Sequence, residues 1–153
     1  MAEPRQVARD FKEPNALDRM VNRAFGFLLK WGIGLAHNYL LEVRGRKTGR
    51  TYATPVNVFE HEGRRYLVAP RGYTQWVRNA EASGEATLVR GGKRERVKLR
   101  AVPHEAKVEL LKIYLDRFKL TVQRYFSVPA GSPVKAFEPV AVRYPVFELR
   151  RDE

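Results

Sequence analysis

Apolar and polar positions recur along this chain with two periods, and the change between them divides it into elements. Near the start, Leu17, Met20, Val21, Ala24, Phe25 and Leu28 follow at helical spacing, with Asp18, Arg19, Asn22 and Arg23 on the opposite face. Asn15 is placed to cap that helix, and Gly32 and Gly34 end it. The pattern then becomes strand-like over Tyr39–Arg44, Thr51–Glu60 and Arg65–Ala69, with a turn at Glu62-Gly63. Trp76–Ser83 reads as a short helix. Glu85–Arg90 and Arg94–Val102 read as strands joined at Gly91-Gly92, a composition that favours a tight hairpin. In the second of these, Val97, Leu99 and Ala101 alternate with Arg96, Lys98 and Arg100, which predicts one apolar and one basic face. Pro103 and His104 open the clearest helix, where Val108, Leu111, Leu115, Phe118 and Val122 repeat at intervals of three and four. Val128–Pro133 ends it, and Val140–Arg143 and Val146–Arg150 look like closing strands. Consecutive hairpins make the sheet mostly antiparallel and exclude a doubly wound parallel fold. The expectation is a mainly β single domain, residues 1–153, built as a small barrel with flanking helices and a polar N-terminal arm over residues 1–14.

Composition narrows the chemistry. With 44% hydrophobic residues the chain is expected to fold around a packed core. The absence of cysteine excludes disulfides, thiolate metal sites and cysteine nucleophiles. His37, His61 and His104 share no ligand spacing, so no metal is expected. A formal net charge of +12 points to an anionic ligand or partner without choosing among phosphates, nucleic acid and lipid. No secretory signal is visible, and the apolar stretch Phe25–Leu35 is interrupted by Lys30 and three glycines, so a cytoplasmic protein is expected. The first helix, residues 15–31, leaves open a peripheral membrane contact, because Phe27, Leu29 and Trp31 widen its apolar face.

Three segments can carry chemistry. Arg44-Gly-Arg-Lys-Thr-Gly-Arg50 sets four cations, two glycines and a hydroxyl between two strands. Glycine lets such a turn present backbone N–H groups to an anion, and arginine can bind phosphate or carboxylate with two donors. A solvated basic turn is the competing explanation. Ala69-Pro-Arg-Gly72 follows an apolar strand and offers Arg71 as a second anion ligand, or an ordinary turn. In Trp76-Val-Arg-Asn79, the indole can wall a flat ring or join the core, and Asn79 can cap a helix or bind a ligand.

Taken in order, Gly45-Arg-Lys-Thr-Gly49, Thr54-Pro55, Tyr66-Leu-Val-Ala69 with Arg71-Gly72, Trp76-Val-Arg-Asn79 and Tyr144-Pro-Val-Phe147 make the sequence recognisable. The chain resembles the deazaflavin-dependent nitroreductase family, within the flavin/deazaflavin oxidoreductase superfamily, over roughly residues 34–149. The resemblance implies a split β-barrel of the FMN-binding-protein type and coenzyme F-420, an 8-hydroxy-5-deazaflavin, as hydride donor. It implies that Arg46, Lys47, Thr48 and Gly49, with Arg50 nearby, bind the coenzyme's phosphate and acidic tail. It places Thr54, Pro55, Ala69, Pro70 and Arg71 beside the ring, with Trp76 and Asn79 near it. The acceptor it implies is a small electron-poor molecule: a quinone, an enone or a nitro compound. The needed proton comes from solvent or a tyrosine, with Tyr125, Tyr73 and Tyr114 as candidates. The segment Gly72–Trp76 is shorter than in nitroimidazole-reducing members, and Tyr52 stands where some have a basic residue; both bear on the substrate. The same fold also holds flavin mononucleotide, haem or biliverdin-type ligands. A non-enzymatic basic module is a different reading, but no RNA- or DNA-binding motif accompanies the cations. The oligomeric state is not legible in the sequence.

Overall fold

The computed structural model describes residues 38–151. The polar arm, the first helix with its membrane-contact expectation, and His37 lie outside the described residues. Six strands follow: β1 (Asn38–Arg44), β2 (Thr51–His61), β3 (Arg64–Val68), β4 (Glu85–Arg90), β5 (Lys93–Ala101) and β6 (Val146–Arg151). Two helices are inserted, α1 (Gln75–Ser83) and α2 (His104–Val122). Every strand pair is antiparallel, and the order β1-β2-β3-β6-β5-β4 closes on itself as a barrel.

Local chemistry accounts for the turns. Glu62 and Gly63 both have positive φ, 53° and 79°, which suits the twist of a two-residue hairpin. Gly84, at φ 74°, ends α1 by donating its N–H to the Ala80 carbonyl. The long strand β2 is only partly shared. Its register with β1 runs from Asn57 to Thr51, whereas its ladder with β3 covers Val58–His61 only. Beyond that point the chain after β3 turns to β6, with the Ala69 N–H donating to Pro145 O at 2.9 Å. The barrel is therefore split along the first half of β2. Pro55 lies on that half, where a residue without an N–H costs no ladder bond.

Strand alternation produces two cores. Leu41, Val43, Val58, Leu67, Leu88, Val97 and Phe147 fill the barrel, joined by Val77 and Ala80 of α1, which plugs one end. The other faces of β2, β3 and β6 offer Phe59, Val68 and Val146 to α2, where Leu111, Tyr114, Leu115 and Phe118 cover them. Each such buried side chain contributes about 1.5–3 kcal/mol. The far barrel mouth is crossed by a bidentate pair, Arg65 Nη1 and Nη2 donating to Glu95 at 3.0 and 2.7 Å.

Two expectations are corrected. Val140–Arg143 is not a strand but the end of a run of 3-10 turns, Val134–Arg143. Phe137 and Val140 are three residues apart and both buried, which matches three residues per turn rather than two. Ala101 is exposed at the end of β5, so the inward face of that strand consists of Val97 and Leu99.

Candidate functional site

The end of the barrel plugged by α1 gathers the loop after β1, the loop after β3 and the turn before β6. In the first loop, the Gly45 N–H donates to Arg50 O at 2.6 Å and the Gly49 N–H to Gly45 O at 2.9 Å. Gly49 has φ 75°, a conformation that favours glycine. Gly45 is required for space: a Cβ there would lie 2.6 Å from Tyr52 Cε2 and 2.8 Å from Thr48 Oγ1. The Arg50 N–H donates to Thr48 Oγ1 at 3.1 Å, and the Tyr52 hydroxyl lies 3.1 Å from the same oxygen. With Tyr52 as donor, the Thr48 O–H stays free for an anion. Tyr52 is thus a strut of the loop, a role that sequence alone does not signal.

Asn79 joins this loop to α1. It is 6% exposed, and its Oδ1 accepts from the Arg46 backbone N–H at 3.1 Å and from Arg46 Nη1 at 2.6 Å. Arg46 to Arg50 are otherwise exposed, and among the described residues Lys47 and Arg50 pair with no carboxylate. Several other cations of the barrel are paired with carboxylates: Arg94 with Glu42, Arg96 with Glu85, and Arg64 and Arg150 with Glu148. Replacing Asn79 by Ala is expected to leave the Arg46 N–H and guanidinium without their shared acceptor. The expected result is about tenfold weaker anion binding at the loop, measured by ligand titration, with a stability loss of about 1–2 kcal/mol.

In the second loop Ala69 is buried, and the Gly72 N–H donates to Ala69 O at 3.1 Å. Gly72 has φ 85°, and a Cβ there would lie 3.3 Å from Arg143 O. Arg71 is exposed and has no carboxylate partner among the described residues. Thr74 stands at the N-cap of α1 without a side-chain capping bond, and its Oγ1 is buried with no hydrogen-bond partner among the described residues, at a cost of about 1–3 kcal/mol. No sequence motif pointed to Thr74. Trp76 is half-buried and packs against Phe147 with ring centroids 6.2 Å apart. Thr54 and Pro55 lie further along β2, opposite Leu41 and Leu40, on the half of the strand that faces the split.

The three tyrosines part company. Tyr114 is 2% exposed and packs edge-on against Phe118 in the outer core, where burial pushes its hydroxyl far above the ordinary tyrosine range. It is a core residue, and this removes it from the proton-donor candidates. The Tyr125 hydroxyl accepts from Arg124 Nη2 at 2.8 Å at the end of α2. Tyr73, 48% exposed, is the one that stands in the loop between β3 and α1. A larger cavity, about 790 Å³, opens at the opposite barrel end beside Tyr39, Arg90, Gly91 and Lys93. Two of the charged groups lining it are already paired, Arg94 with Glu42 and Glu95 with Arg65. Among the described residues, no helix is long and apolar enough to cross a membrane.

The family model described as F420H(2)-dependent quinone reductase matches residues 18–125. No curated protein matches the chain. Among solved structures, a protein of unknown function from Agrobacterium tumefaciens is 19% identical with a TM-score of 0.54, over 94% of this chain. This chain spans only 58% of the length of that protein. An F420-H2 dependent reductase is 18% identical with a TM-score of 0.52, over 75% of this chain and 95% of its own. A NimC/NimA family protein from Clostridium acetobutylicum is 15% identical with a TM-score of 0.52, over 86% of this chain and 80% of its own. At such identities these structures show the shared barrel fold.

Proposed function

Given that the chain belongs to the F420H(2)-dependent quinone reductase family, we propose that the α1 end of its barrel binds reduced coenzyme F-420 and directs its hydride to a quinone. The observation that carries this reading is the loop Gly45–Arg50, with exposed cations that no carboxylate among the described residues neutralises and one arginine held in place by Asn79. Reduced coenzyme F-420 supplies a hydride when bound. The residues present fit that group. Arg46, Lys47, Thr48, Gly49 and Arg50 offer charge and donors to a phosphate and an acidic tail. Ala69, Pro70 and Arg71 lie beside the split in the barrel, with Thr54 and Pro55 on β2 and the Trp76 indole as a rigid wall.

The protein's contribution is binding and orientation, since no nucleophile or catalytic dyad is required of it. A flat acceptor would be held against the ring, and the proton that completes its reduction comes from solvent or from Tyr73, which stands in the loop between β3 and α1 at this end. A flavin mononucleotide carries a single phosphate and would call on fewer of these cations. The acceptor is tested by following oxidation of the reduced coenzyme with a quinone, an enone and a nitroimidazole in parallel. The quinone is expected to give the highest kcat/KM; reduction of only the enone or the nitro compound would overturn the acceptor assignment.

A further inference from the structure

We propose that Lys107 is a positioning residue for the coenzyme site: its bond to the Tyr144–Pro145 turn fixes the Ala69–Gly72 loop beside the ring. The inference rests on the coenzyme assignment above. Lys107 lies in the first turn of α2, yet only 7% of it is exposed. Its Nζ donates to the Tyr144 carbonyl at 3.0 Å, and among the described residues it has no carboxylate partner. Burial pushes its pKa below the ordinary lysine value. An ammonium in such a place costs free energy that a methionine of similar length would not. What the ammonium adds is a strong donor to one particular carbonyl.

That carbonyl belongs to a turn on which the second loop is built. The Pro145 carbonyl accepts the Ala69 N–H at 2.9 Å, and Arg143 O backs Gly72 so closely that a Cβ would lie 3.3 Å away. From there the Gly72 N–H returns to Ala69 O, and the Thr74 N–H donates to Gly72 O at 2.9 Å. A series of bonds therefore leads from Lys107 through the turn to Thr74 at the N-cap of α1, whose carbonyl accepts the Arg78 N–H at 3.2 Å. Pro145 brings no N–H of its own, and the Tyr144 N–H is taken up by Ala141 O at 3.1 Å; Lys107 adds a side-chain hold on the Tyr144 carbonyl. Tyr144 supplies a second hold, its hydroxyl donating to Tyr125 O at 2.7 Å and its ring stacked on Phe126 at 4.3 Å. Lys107, Pro145, Tyr73 and Glu81 also line one small cavity of about 40 Å³, which places the ammonium directly behind the loop and α1.

The test compares Lys107→Met with Lys112→Met, a second lysine of α2 that ties Asp116 and Ser132 at 2.9 and 2.7 Å, on a different loop. Amide hydrogen exchange of the free protein is read at Ala69, Gly72 and Thr74, and KM and kcat are read with reduced coenzyme F-420. In K107M those three amides are expected to exchange about tenfold faster while β1–β2 amides hold. The coenzyme KM is expected to rise about tenfold with kcat within about twofold. K112M should change neither readout. If K107M does not fold, Lys107→Gln, too short to reach Tyr144 O, carries the same expectation. Unchanged exchange at the three amides, or equal acceleration in K112M, overturns the proposal. The exchange result judges the clamp even if the unmodified protein binds no coenzyme, an outcome that would instead sink the coenzyme reading.

Discussion

Replacing Arg46, Lys47 and Arg50 together by alanine is expected to weaken binding of reduced coenzyme F-420 by roughly a hundredfold. A charge-assisted hydrogen bond contributes about 1.5–3 kcal/mol, and exposure to solvent and salt reduces each of these to about 1 kcal/mol. Three such losses give about two orders of magnitude. Stability should change little, because among the described residues Lys47 and Arg50 have no carboxylate partner, and only the Arg46 Nη1 bond to Asn79 is lost while the backbone N–H bond remains. The unmodified protein should bind more weakly as ionic strength rises, and the triple variant should lose most of that dependence. Titrations at two salt concentrations check both statements. An affinity within threefold of the unmodified protein would mean that the loop is only a solvated basic turn.

The second large effect is on the fold itself. Phe147→Ala is expected to cost about 3–5 kcal/mol of unfolding free energy. Phe147 is 2% exposed near the start of β6, paired with Leu67 on one side and Ala101 on the other. Its ring fills the barrel beneath α1 and supports Trp76 from 6.2 Å. The cavity left behind would therefore loosen the indole as well as the barrel. Denaturant unfolding should show a lower midpoint with an unchanged slope, and coenzyme affinity should fall in conditions where the variant remains folded. A cost below about 1.5 kcal/mol would mean that the barrel collapses around the gap.

Much of this architecture was legible because strands and helices write different periods. Val97 and Leu99 alternating with Arg96 and Lys98 gave β5 its inward face, and the spacing from Val108 to Val122 gave α2. Glu62-Gly63 and Gly91-Gly92 marked hairpins through their tolerance of positive φ. The failures share a cause. Val140–Arg143 alternates like a strand, yet Phe137 and the preceding Pro133 set it into turns of three residues. Tyr114 carries the same hydroxyl as Tyr73, but its position on the buried stripe of α2 makes it core.

At the site, residue types were legible and contacts were not. The cations and glycines of the first loop announce an anion site by composition. That Asn79 turns back to hold Arg46 depends on packing between residues 33 positions apart. Thr74 reads as any loop threonine, and only the fold buries its hydroxyl without a hydrogen-bond partner among the described residues. Lys107 sits beside Val108 in a sequence where lysines are common, and only the turn before β6 gives it a partner.

Binding of reduced coenzyme F-420 at the cationic loop of this barrel end is open to direct measurement. The most direct measurement is an equilibrium titration of the purified chain with reduced coenzyme F-420 and, separately, with flavin mononucleotide, at low and high salt. Saturable coenzyme binding that weakens with salt and exceeds flavin mononucleotide binding is the predicted result. No saturable coenzyme binding, or tighter binding of flavin mononucleotide, would contradict it.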